Sequence, residues 1–167
     1  MGKTQDNLKD AFAGESQANR RYLFFADRAD EEGHPIIARL FRAAAEAETV
    51  HARNHLRALG EIKSTDGNLK AAIGGENYEF THMYPGFIEQ AKTEGSKEAE
   101  VSFDLANKVE KIHHALYEKA LKSLEVGESL KDEPYFVCQR CGYTVGGQAP
   151  EKCPICGAPR SMFKRVE

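Results

Sequence analysis

Between Ile37 and Leu59 the apolar residues Ile37, Leu40, Phe41, Ala44 and Leu59 recur at three- and four-residue steps. That spacing marks one face of an α-helix. Continued along the chain, the same stripe passes through Glu48, His51 and His55, three polar side chains where core-facing residues are due. Four segments in all share the period. The first, from about Asn7 to Glu31, carries Leu8, Ala11, Phe12, Glu15, Ala18, Tyr22, Phe25 and Ala29, and stops at "EGHP". The second runs from about Ile36 to Leu59 and stops at Gly60. The third begins after "STDG" and carries Leu69, Ala72, Ile73, Glu76, Glu79, Phe80 and Met83; Pro85 should end or kink it, with helix resuming to Glu94. The fourth starts after Gly95-Ser96 and carries Ala99, Phe103, Ala106, Glu110, His113, Tyr117, Ala120 and Leu124. None alternates like a strand. Four amphipathic helices of similar length predict a mainly α fold, a four-helix bundle.

The stretch "EVGESLKDEP" breaks the period and reads as the end of the last helix plus a linker. Beyond it the chain is rich in Gly, Pro and Cys. The expected division is therefore residues 1–133 as bundle and 134–167 as a small second domain. So short a tail cannot bury enough apolar surface to fold unaided, and a bound metal is the obvious staple.

Composition narrows the function classes. The chain has 23 Lys+Arg against 26 Asp+Glu, a net charge of −3, with both signs interspersed. No basic block points to nucleic acid or to an anionic membrane. The polar opening "MGKTQDNLKDAFAGESQ" lacks the apolar core of a signal peptide, and no apolar run approaches a membrane span. A cytoplasmic location is expected. All 4 cysteines fall in the tail, as two Cys-x-x-Cys pairs, which in a reducing compartment read as metal ligands.

Acids on helices usually face water, as Glu31, Glu61, Glu98 and Glu118 are expected to do. Glu15, Glu48, Glu76, Glu79 and Glu110 instead fall on the apolar stripes near mid-helix, where an unpaired charge is costly to bury. No Lys or Arg shares those stripes centrally. Glu48-Thr49-Val50-His51 and Glu110-Lys111-Ile112-His113 are both Glu-x-x-His, which sets carboxylate and imidazole on one face about a turn apart. One Glu from each of two helices, with Glu-x-x-His from each of the other two, is the donor set of a carboxylate-bridged two-metal centre in a bundle core. Glu15 serves for the first helix and Glu76 or Glu79 for the third. Carboxylates with one imidazole per metal suit iron or manganese better than copper. His55 is expected to pack or to orient a ligand; His34 and His82 to lie at the surface or in loops; and His114, off the stripe, to be exposed. Tyr22 and Tyr84 lie within two turns of Glu15 and Glu79, close enough to hydrogen-bond the acids.

Cys138, Cys141, Cys153 and Cys156 predict a tetrahedral four-thiolate site, with Gly142 and Gly157 placed for turns that aim backbone N–H groups at sulfur. On the tail alone, zinc and iron fit equally. Beside a two-metal redox bundle, one iron is favoured, because it passes single electrons.

In "GESQANRRY", "EAETVHARNHL", "GENYEFTHMYP", "VEKIHH" and "CQRCGY…CPICGAP" the chain resembles the rubrerythrin family over nearly its whole length. The resemblance implies a ferritin-like bundle followed by a rubredoxin-like Fe(Cys)4 domain. It implies two irons held by Glu15, Glu48, His51, Glu76, Glu79, Glu110 and His113, with Glu48 and Glu110 bridging. It also implies that one iron exchanges His51 for Glu79 with redox state, and that Tyr22 and Tyr84 support the acids. The implied activity is reduction of hydrogen peroxide to water, with electrons from rubredoxin or an NAD(P)H-dependent reductase. Competing readings are a ferroxidase that handles iron with oxygen, and a non-enzymatic electron carrier. The expected assembly is a head-to-tail homodimer, because a tail folded off the end of its own bundle would lie far from the mid-helix metals.

Overall fold

The structure is a computed structural model and describes residues 2–167. It resolves into two compact units, the first ending at Lys63 and the second running from Ser64 to Glu167.

The first unit is a helical hairpin, α1 (Lys3–Glu31) and α2 (Pro35–Ala58). Gly33 takes φ +79°, and the N–H groups of Gly33 and His34 donate to Asp30 O and Ala29 O, closing α1. Pro35 opens α2, where its missing N–H costs nothing. The helices meet on alanine: Ala26, Ala29, Ala38 and Ala45 are buried, with Phe41 packed beside them. Small residues there let the backbones approach. Phe41 also meets Phe25 edge-on at 5.6 Å and Tyr22 at 6.2 Å between ring centres. Asn19 Nδ2 donates across the hairpin to Ala45 O (2.6 Å) and Thr49 Oγ1 (2.9 Å).

In the second unit, α3 (Thr65–Tyr78) starts inside the "STDG" that was expected to precede it. Ser64 is the reason: its Oγ accepts from Gly67 N–H at 3.3 Å and caps the first turn. Pro85 does not break the third helix. Residues Glu79–Met83 widen into a π-helical turn, and α4 (Tyr84–Thr93) follows with Pro85 in its first turn. A π-turn shifts the hydrogen-bond register by one residue and so accommodates a residue without an N–H. Then comes α5 (Lys97–Glu125), with Val109 buried.

The tail forms a three-stranded antiparallel sheet, order β2-β1-β3, from β1 (Tyr135–Cys138), β2 (Thr144–Gly146) and β3 (Phe163–Val166). Val137 pairs with Thr144 on one side and Lys164 on the other. Its core is Cys138, Cys153 and Ala158, flanked by Tyr143 and Phe163. The mainly α fold with a small thiolate domain is thus as expected, but the tail's position is not. It does not fold off the end of α5; it lies along it. A Cβ at Gly142 would sit 3.6 Å from Val109 Cγ1, near the middle of the helix. Retracing α5 from Glu125 to His113 takes about 18 Å of helix. The segment 126–134, reversed at Gly127 (φ +70°), can reach about 30 Å when extended. Among the described residues no helix is long and apolar enough to cross a membrane.

Replacing Ala38, which is fully buried, by Leu should lower stability by about 1–3 kcal/mol through overpacking of the α1–α2 contact. Chemical denaturation of the metal-free protein measures this, with an exposed control such as Ala47→Leu expected to change little.

Candidate metal centres

Each unit presents one carboxylate–histidine set of metal-competent donors, and the second unit also holds the four cysteines. In the first, Glu15 of α1 joins Glu48 and His51 of α2: His51 Nδ1 lies 2.9 Å from Glu48 Oε2 and 3.7 Å from Glu15 Oε1. In the second, Glu76 of α3 joins Glu110 and His113 of α5: His113 Nδ1 lies 2.8 Å from Glu110 Oε2 and 4.0 Å from Glu76 Oε1. The two sets have the same grammar, a lone Glu on one helix and Glu-x-x-His on the next, with Nδ1 facing the carboxylates in both. In each, donor atoms lie within 4.8 Å of one another, near enough to share an ion.

The electrostatics of the second set call for a cation. Burial, then the charge of Glu110, push the Glu76 carboxyl up to about 7. Glu79 stands outside the tight cluster, yet burial and Glu110 raise it too. Tyr84 lies in the same field: burial, then Glu110, Glu79 and Glu76, hold its phenol protonated. Its ring packs on Phe87 and Phe103. Tyr22 differs. Its contacts among the described residues are the rings of Phe25 and Phe41, so the structure gives it packing where a bond to Glu15 was expected.

Of the other histidines, His34 and His82 are exposed as expected, His82 stacked on Tyr78 at 5.7 Å. His55 is half-buried. His114 departs from expectation: its side chain is only 19% exposed, with its ring edge-on to Phe80 and Nδ1 3.5 Å from Glu118. The aromatic contact occupies a face that the angle from the apolar stripe assigned to water.

The reading of residues missed Thr144. His113 Nε2 lies 3.0 Å from Thr144 Oγ1, whose hydroxyl donates to Gly142 O at 3.0 Å. With its proton committed to Gly142, the Thr144 oxygen accepts from His113 Nε2–H. That fixes the tautomer and leaves Nδ1 free to bind metal. No pattern in "GYTVGG" marks the threonine; only the tail's docking on α5 makes it matter.

The four sulfurs fit a tetrahedral ion. Cys138 and Cys156 Sγ are 3.7 Å apart and Cys141 and Cys153 Sγ 3.5 Å, against tetrahedral edges of about 3.8 Å for metal–sulfur bonds near 2.3 Å. Gly142 (φ +83°) and Gly157 (φ +72°) make the expected left-handed turns. Backbone groups then bond the sulfurs: those of Ile155 and Cys156 with Cys153, of Tyr143 with Cys141, and of Ala158 with Cys156. Burial drives the Cys141 thiol upward, as expected of a sulfur awaiting a cation.

Helical hairpins bearing Glu and Glu-x-x-His, joined to a tetrathiolate sheet, define a protein that combines a carboxylate two-metal centre with a mononuclear thiolate centre. Comparison with known families agrees: the family model described as Rubrerythrin matches residues 6–121, and that described as Rubrerythrin, rubredoxin-like domain matches residues 136–164. The chain belongs to the rubrerythrin family. It is 37% identical over 175 residues to rubrerythrin-2 of Clostridium acetobutylicum, covering 96% of this chain and 95% of that one. To rubrerythrin of Porphyromonas gingivalis it is 40% identical, covering 99% and 90%. Among solved structures, fully reduced, all-ferrous nigerythrin matches at 36% identity and a TM-score of 0.59, covering 99% of this chain and 88% of that one. The fold class is therefore a ferritin-like bundle with a rubredoxin-like domain, and the donors suit two non-haem irons and one Fe(Cys)4.

Thr144→Val should weaken metal binding at the His113 set by about 10–100-fold while leaving the thiolate ion in place, and Thr144→Ser should restore it. Elemental analysis of protein loaded at limiting iron reads the change.

In metal-free protein the raised Glu76 and His113 act in the same direction. Stability from protonated Glu76 is complete below 4.5 and is lost as pH rises through about 7. His113, raised first by its hydrogen bond to Glu110, likewise loses its contribution as it deprotonates. The thermal midpoint of metal-free protein, relative to Glu76→Gln, should therefore fall between pH 5 and pH 8. A difference that is flat with pH would count against the buried acid.

Proposed function

We propose that the chain is a non-haem di-iron peroxidase that reduces hydrogen peroxide to water in oxidative-stress defence. The observation that carries this is the pair of matching Glu and Glu-x-x-His sets in a chain that also holds a tetrathiolate site against His113. Family membership supports the coarser statement, an iron-centre oxidoreductase of the oxidative-stress response. In this reading Glu15, Glu48, His51, Glu76, Glu79, Glu110 and His113 would hold the two irons, Glu48 and Glu110 as shared ligands, and Tyr84 would stand behind the acids. Bound iron supplies the redox chemistry: two electrons and two protons convert hydrogen peroxide to two waters, and the thiolate iron passes electrons singly.

The remaining work falls to the chain. Tyr84 keeps a proton beside three carboxylates. Val109 and Gly142 bring the tail against α5, and Thr144 of the same loop bonds His113. The electron source is rubredoxin or an NAD(P)H-dependent reductase, the active form is a homodimer, and the reduced thiolates suit the cytoplasm. The ferroxidase reading is weaker, because a protein that only stores oxidised iron has no use for an attached electron-transfer domain.

Anaerobically loaded protein should contain about three irons per chain by elemental analysis, two on carboxylates and one on thiolates. Stopped-flow mixing of the reduced protein should show oxidation by peroxide far faster than by oxygen; the reverse order would favour the ferroxidase. Glu48→Ala and Glu110→Ala should each lose both carboxylate irons and keep the red thiolate colour. Either variant retaining two would contradict the shared-ligand assignment.

A further inference from the structure

The four cysteines of the tail do not share one environment. Cys138 and Cys153 are buried, whereas Cys141 and Cys156 are partly exposed. Cys141 belongs to the loop turned toward α5: Gly142 follows it against Val109, and Thr144 reaches His113. Cys156 belongs to the other loop. There Cys153 N–H donates to Ala158 O and Gly157 N–H to Cys153 O, which folds a tight turn with Pro154 and Gly157 exposed. On the reading proposed above, in which the thiolate iron relays electrons, the Cys141 loop is the way out toward His113. The Cys156 loop is then the side left for a donor.

Charge marks that side. Residues 134–167 carry Arg140, Lys152, Arg160, Lys164 and Arg165 against Glu151 and Glu167, in a chain whose net charge is −3. Both carboxylates are occupied: Glu151 Oε1 lies 3.1 Å from Arg160 Nη2, and Glu167 Oε1 lies 3.3 Å from Arg165 Nη1. Among the described residues Arg140, Lys152 and Lys164 have no carboxylate partner. Two of these cations flank the Cys156 loop. Arg140 is exposed, and its Nη1 donates to Cys156 O at 3.4 Å. Lys152, also exposed, sits at the base of the loop, bridged to Pro159. Lys164 is placed differently. It pairs with Val137, as Thr144 does, so it shares the sheet face that reaches His113.

One long hydrogen bond leaves most of the Arg140 guanidinium's donors free. Such a fork suits a carboxylate of a partner. Electron-transfer encounters use small interfaces, and charges at their rim set the association rate. A pair of cations beside an exposed ligand loop is therefore enough to favour one kind of donor.

We propose that Arg140, Lys152 and the Cys153–Ala158 loop form the docking site of an acidic one-electron carrier protein, with Cys156 as the point of electron entry. The carrier is oxidised by one electron, the ferric thiolate centre becomes ferrous, and no bond forms or breaks.

Reduced flavodoxin, an acidic one-electron carrier whose spectrum differs from that of the thiolate centre, is the probe. Full-length, iron-loaded, oxidised protein is mixed with it anaerobically, and bleaching of the red band is followed. Arg140→Glu should slow bleaching about tenfold or more at low salt. The gap should close near 1 M salt, where the Debye length is about 3 Å. Arg140→Lys should keep most of the rate. Lys164→Glu makes the same change of charge on the other face and should slow it far less. Reduction by methyl viologen radical, a small cation, should not be slowed by Arg140→Glu, and the red band before mixing should be unaltered. Equal slowing with flavodoxin and viologen would make Arg140 a clamp of the loop and overturn the docking site. So would a rate indifferent to Arg140→Glu, or one slowed as much by Lys164→Glu. A second measurement needs no electron transfer. Full-length protein with zinc on its thiolates should bind isotope-labelled flavodoxin in an NMR titration at low salt, and Arg140→Glu should lose that binding; no binding by the zinc-loaded wild type overturns the proposal. Peroxide turnover that fails while flavodoxin still reduces the tail would count against the peroxidase reading alone.

Discussion

Carboxylates turned toward a helix-packing face repel one another, and they lose water with nothing on the same face to replace it. In the second unit this constraint is visible: burial and Glu110 together push Glu76 to about 7, and Glu79 and Tyr84 are raised by the same neighbours. A lysine could neutralise such a cluster, but the stripes carry none. Divalent cations resolve the conflict at two carboxylates at a time, which is why a lone Glu on one helix answers Glu-x-x-His on the next in both hairpins. The helices are arranged around that charge. Where α1 and α2 meet, the buried contact is made by alanine, and bulky apolar residues such as Phe25, Ile37 and Leu40 are left exposed.

The tail depends on the same principle in softer form. Its core is largely its own ligands, Cys138 and Cys153 with Ala158, so metal binding and folding are one event there. The docking of this domain on α5 connects the two kinds of centre. The segment that offers Cys141 to one ion continues within three residues to Thr144, which holds the far nitrogen of His113, a candidate ligand to another. The shift of His113 follows from both ends of the ring: Glu110 at Nδ1 first, with the Gly142 carbonyl adding to it.

Much of this was legible in the residues because the signals are local and periodic. A 3.6-residue stripe shows an acid that faces inward, and Cys-x-x-Cys needs only a turn to become a ligand pair. What stayed hidden depends on contacts that sequence spacing does not encode. Pro85 argued for a break, but a π-turn absorbed the lost N–H without interrupting the helix. The "STDG" segment looked like loop until Ser64 was seen capping the turn that contains it. His114 was assigned to water by its angle from the stripe, yet Phe80 covers it. Thr144 and the tail's place along α5 were invisible for the same reason, since both arise from a chain reversal through 126–134 that no periodicity records.

That reversal also changes what electron delivery asks of an assembly. The expectation of a head-to-tail dimer rested on a tail at the bundle's tip, too far from mid-helix metals of its own chain. With the tail beside His113, that need disappears: the thiolate loop already touches a ligand helix of the same chain. The linker at 126–134 is long enough to fold back on its own helix, so the contact between the thiolate loop and His113 lies within one chain.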